Sequence, residues 1–87
     1  MTKDQRENIE RELNRLQKLS DKWEAKADMA YDEHDDSLQK KFETKVITIE
    51  ERINGMRYVL LRLGYDAIHP WDGHERDYSQ YIVVERN

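Results

Sequence analysis

Between Lys3 and Leu63 the chain has no proline and a single glycine, Gly55. Proline and glycine are the commonest punctuation of helices, so so long a stretch nearly free of them is helical by default. In its first half apolar residues fall at Ile9, Leu13, Leu16, Trp23, Ala27 and Ala30. The steps are four, three, seven, four and three, a heptad seam with Ser20 at the skipped position and Leu19 beside it. Val46, Ile49, Ile53, Met56, Leu60 and Leu63 continue with alternating steps of three and four, and Phe42 extends that row backward. Glu7 with Arg11 and Glu12 with Arg15 are spaced for ion pairs on the helix surface.

Between the halves lies Tyr31-Asp32-Glu33-His34-Asp35-Asp36-Ser37. Asp36 with Gln39 three residues later reads as a capping box. The expected fold is therefore mostly α: an antiparallel, coiled-coil-like helical hairpin with helices over 3–32 and 36–63. One unbroken helix is the rival, since the break holds no glycine or proline. A second rival is a β-hairpin at Asn54-Gly55, a strong turn signal between strand-forming residues. Glu50-Glu51-Arg52 blurs its period of two, and the heptad row favours helix. Gly64 suits the left-handed position past a helix end, with Tyr65 packing back on Leu60.

Beyond Gly64 the character changes. Asp66 to His74 is turn chemistry, and Tyr78–Val84 reads as a strand able to pair with Tyr65–Ile68. A two-stranded ribbon is marginal alone, so it must lie on the helices or on another chain. All 87 residues make one domain, with a short C-terminal β element over 65–85.

Composition narrows function more than it names it. Apolar residues make up 37% and charged residues 39%, a lean core that points to a shared one. The expectation is a homodimer forming a four-helix arrangement. There is no cysteine, which excludes disulfides and thiolate chemistry. No apolar run approaches the length of a membrane span, and the first residues lead into no apolar stretch, so a cytoplasmic protein without a signal peptide or membrane association is expected. Residues 1–35 carry 7 basic and 10 acidic groups, 36–64 carry 6 and 4, and 65–87 carry 2 and 5, giving local charges of -3, +2 and -3. That is no basic footprint, and direct nucleic-acid binding is not expected. A basic stripe, Lys40, Lys41, Lys45, Arg52, Arg57 and Arg62, is expected to answer acids of the first helix or of another subunit.

Catalysis finds little support. Ser20, Ser37 and Ser79 lie in no nucleophile elbow, and there is no glycine-rich phosphate loop. His69, Asp72 and His74 are the one set that could hold a metal ion, and a metal-dependent enzyme built on them is one alternative. Their spacing matches no common metal motif, and no cofactor is expected. Two other features suit partner binding. Asp28, Asp32, Glu33, Asp35 and Asp36 form an acidic cluster with no basic residue between them. Trp71, Tyr78 and Tyr81 are of the residue types that anchor interfaces.

The run Ile53-Asn54-Gly55-Met56-Arg57-Tyr58-Val59-Leu60-Leu61-Arg62-Leu63-Gly64-Tyr65 resembles a helix ending in Leu-Gly-Tyr found in small uncharacterised proteins of phages and mobile elements of Gram-positive bacteria. The resemblance implies a phage accessory protein, an inhibitor of host defence or of host nucleic-acid enzymes, anti-CRISPR proteins among them. On that footing the expected function is non-enzymatic: occlusion of a basic surface on a host protein by the five carboxylates, with the three aromatic residues adding buried area. A self-assembling coiled-coil adaptor is the other alternative.

Overall fold

The computed structural model describes residues 1–68 and 80–86. Its elements run α1 (Lys3–Asp32), α2 (Asp36–Arg62), β1 (Tyr65–Ile68) and β2 (Ile82–Glu85). The two helices pack as an antiparallel hairpin, and the strands form an antiparallel ribbon against the end of the hairpin away from its turn. Gly55 lies within α2, so the Asn54-Gly55 β-hairpin does not form, and the single unbroken helix is likewise excluded.

Helix boundaries follow from local hydrogen bonding. Thr2 caps α1: its hydroxyl accepts from the Gln5 amide at 3.2 Å, and the Gln5 side chain accepts from the Thr2 amide at 2.9 Å. At the far end His34 takes φ 58°. The Asp35 amide then reaches the Ala30 carbonyl at 2.9 Å and the His34 amide the Tyr31 carbonyl at 3.0 Å. This is the paired-bond helix stop normally built on glycine. Asp35, not Asp36, caps α2, accepting from the Leu38 amide at 3.1 Å. Asp36 is the first helical residue, where its charge still suits the helix dipole. One residue thus ends one helix stop and begins the next cap, and the chain reverses over Glu33, His34 and Asp35. Gly64, at φ +89°, turns the chain out of α2 into β1.

The ribbon pairs Tyr65 with Glu85, Asp66 with Val84, Ala67 with Val83 and Ile68 with Ile82. β2 therefore starts later than the expected strand, whose first residues, 78 and 79, lie outside the described set. Leu13 and Leu16 of α1, Ile53 and Leu60 of α2, and Ala67, Tyr81 and Val83 of the ribbon segment form one buried cluster, with Ile9, Ile49, Met56 and Tyr65 around it. The seams meet as the heptads require, and of the two places expected for the ribbon, the helices or another chain, it takes the helices. The ribbon closes one side.

Three polar side chains of α1 fix the ribbon there. Glu10 accepts from the Val83 amide at 2.9 Å, Asn14 accepts from the Tyr81 amide, and Gln17 accepts from the Tyr81 hydroxyl at 3.3 Å. Spaced four and three, they lie on one helix stripe. Glu10 satisfies an amide of β2 and Asn14 the amide of Tyr81 just before it, on what would otherwise be an open sheet edge.

Candidate functional site

Because the ribbon occupies one side of the hairpin, the opposite side is the candidate binding face. The helical period assigns the residues. On α2, Glu50, Ile53, Asn54 and Arg57 turn toward Tyr81, with the Arg57 guanidinium 5.9 Å from its ring centroid. Val59, Arg52 and Lys45, seven apart, fall on the other side. On α1 the matching row is Gln5, Ile9, Glu12, Leu19, Trp23 and Lys26, stepping four, three, seven, four and three.

At the ribbon end this face is an apolar groove. A trough of about 450 Å³ lies between Ile9 and Gly55, Met56, Val59 and Leu63, with Arg52 and Leu60 also lining it. It continues past Ile9 and Leu63 into a wider hollow bordered by Met1, Gln5 and Tyr65. Val59 is 55% exposed and Leu63 62% exposed. A Cβ placed on Gly55 would meet nothing within 4 Å, so the floor beside it is open.

One step along the hairpin the face becomes charged. Arg15 binds Glu12 at 2.7 Å. That hydrogen bond holds the Glu12 carboxyl below its ordinary range against an opposing desolvation, and the charges of Arg15 and Arg52 add smaller lowering contributions. The same bond raises Arg15. Further along, the rings of Trp23 and Phe42 stack at 5.5 Å. Lys45 lies 4.2 Å, Lys26 4.6 Å and Lys22 5.8 Å from the Trp23 ring centroid. The face so carries Lys22, Lys26 and Lys45 around Trp23, and Arg52 near Glu12. The stripe on α2 answers an acid of α1 at Arg52, whose charge lowers Glu12, but not throughout. Lys45 instead lies over Trp23, Arg57 over Tyr81, and Arg62 donates to the Tyr58 hydroxyl at 2.9 Å. Arg11 also turns from Glu7 to donate to Asn8 at 2.8 Å.

The expected site residues are only partly brought together. Asp28, Asp32, Glu33, Asp35 and Asp36 gather at the hairpin tip and are all exposed. Asp35 is committed to its cap. Tyr81 is only 6% exposed and belongs to the core, so it does not serve as an anchor on a contact face. Its hydroxyl and backbone are held by Gln17 and Asn14, and it shares the buried cluster with Ala67 and Val83. Trp71 and Tyr78, with His69, Asp72 and His74, lie outside the described residues. Among the described residues no group of three His, Asp or Glu side chains is placed to hold a metal ion, and no helix is long and apolar enough to cross a membrane.

The groove escaped the sequence reading because Val59 falls off the heptad row and Leu63 was assigned to the seam. No protein-family model, no curated protein and no solved structure matches the chain.

Proposed function

We propose that this protein is a non-enzymatic protein-binding module that docks its partner on the open face of the hairpin. The observation that supports it is the exposure of Val59 and Leu63 around an apolar groove on the side that, among the described residues, the ribbon leaves uncovered. Contiguous exposed apolar surface on a small domain marks an interaction site. Covering a valine or leucine contributes about 1.5–3 kcal/mol each, enough to anchor a partner. Both residues stand outside the core cluster, so charged substitutions there spare the fold. The test is capture of a partner from bacterial lysate by the tagged protein and by V59E/L63E. Near-stoichiometric capture by the parent and none by the variant, with equal helical circular dichroism, is expected. Equal capture by both overturns the proposal.

The hairpin tip favours a second reading, an inhibitor of the phage type that occludes a basic surface. Its five carboxylates are exposed within one short segment, and like charges so placed raise the local field met by a cationic partner. Capture lost with D32N/E33Q/D35N/D36N and kept with V59E/L63E selects it. Asn at 35 retains a capping side chain.

A further inference from the structure

We infer, building on the docking face proposed above, that its partner is an acidic amphipathic helix, with apolar residues in the groove and carboxylates over the lysines around Trp23. The hairpin then supplies two helices of a three-helix bundle, and the partner supplies the third.

Three features of the face select this chemistry. Its apolar part is a trough between two helices, the shape that receives the apolar stripe of another helix. Its charged part lies on the same line, displaced by the 14 residues from Ile9 to Trp23, about 21 Å of helix. Its charge is one-sided, with Lys22, Lys26 and Lys45 grouped on one ring. A helix of about 18 residues spans both parts. Beyond Trp23 the face ends at Glu33, which lines the last hollow with Lys26, Ala30 and Phe42. Carboxylates carried further would meet the acidic tip and be repelled, which bounds the partner's length.

Other occupants fit worse. A second copy laid parallel sets lysines against lysines. Laid antiparallel and centred on the face, it places Lys22, Lys26 and Lys45 over the apolar groove, where burying unpaired charge is costly. Nucleic acid would find cations only along half of the face, on a chain whose net charge is -4.

The experiment is selection of displayed helical peptides of about 18 residues on the intact protein, with randomised positions throughout, followed by affinity measurement of synthetic copies. Selected peptides are expected to carry apolar anchors toward one end and Asp or Glu toward the other. Their affinity is expected to fall about tenfold or more with K22E/K26E/K45E, and to fall as salt rises to about 0.5 M. Peptides that need Val59 and Leu63 but show no acidic bias, and bind the lysine variant equally, overturn the partner's chemistry and leave the docking face standing. No selected peptide, or peptides indifferent to V59E/L63E, overturns both. A labelled oligonucleotide held by the same lysines more tightly than any selected peptide overturns the inference in favour of nucleic acid. A dimer by sedimentation that V59E/L63E dissociates overturns it in favour of a second copy.

Discussion

Asn14→Leu tests how the ribbon is held. The Asn14 side chain makes two bonds to Tyr81, accepting from its amide and donating to its carbonyl at 3.4 Å. Leucine matches asparagine in size but offers neither group. The long donor bond adds little, so the loss centres on the Tyr81 amide, deprived of the carboxamide oxygen at a part-buried position. A buried donor left without its acceptor costs about 1–3 kcal/mol. Partial access of water to this site places the expectation near the lower half, about 1–2 kcal/mol. For a domain of this size each kcal/mol moves the midpoint by about 4–8 °C, so Tm should fall by about 5–15 °C. Thermal and urea unfolding followed by circular dichroism measure it. Asn14→Asp keeps the acceptor and should lose less than Asn14→Leu. Asn8→Ala, which removes only an exposed bond to Arg11, should stay within about 0.5 kcal/mol of the parent. A fully stable Asn14→Leu, or an Asn14→Asp as damaged as the leucine variant, would show that the carboxamide does not hold the ribbon.

Two further outcomes follow from the same structure. His34 sits at φ 58°, where a side chain costs about 1–2 kcal/mol; His34→Gly removes that strain and, after glycine's greater unfolded freedom, should stabilise by about 0.5–1 kcal/mol in urea unfolding, whereas a loss of stability refutes the assigned backbone. Glu12 should titrate by NMR below an ordinary glutamate, chiefly through its bond to Arg15, and Arg15→Gln should move its midpoint upward. A folded value lowered in this way stabilises above the unfolded value and ceases to as pH falls through the folded one. An unmoved midpoint would mean the pair is not held in solution.

The elements were legible because their signals are local. Six heptad positions in α2, the glycine at 64 and the β-branched run Ile82-Val83-Val84 depend only on near neighbours. The turn was placed but its residues were misassigned, because a histidine in the left-handed region has no strong propensity signal. With His34 unrecognised, Asp36 looked a better cap than Asp35. Thr2-Lys3-Asp4-Gln5 carries a capping-box pattern that was readable and passed unnoticed. Glu10, Asn14 and Gln17 were not legible as a set. Each is an ordinary polar residue on a helix surface, and only the position of β2, more than sixty residues away, gives them a task. Tyr81 was misjudged for the same reason: an aromatic residue beside a strand reads alike as core or contact.

Charge shows most clearly what a linear reading loses. Summed along the chain, residues 1–35 carry -3 and suggest an acidic partner for the cations of the second helix. Folding does not pair segments; it pairs faces. On α1, Lys22 and Lys26 turn to the same side as Trp23, while Asp28, Asp32 and Glu33 collect at the tip. The antiparallel return of α2 brings Lys45 onto that same side, over Trp23, and sets Arg52 near Glu12. A segment with a net negative sum thus contributes half of a positive face. The two candidate surfaces of the protein therefore have opposite signs and lie at different levels of one hairpin. A partner drawn to the lysines and one drawn to the tip are chemically distinct, and the paired variants V59E/L63E and D32N/E33Q/D35N/D36N separate them in a single binding assay.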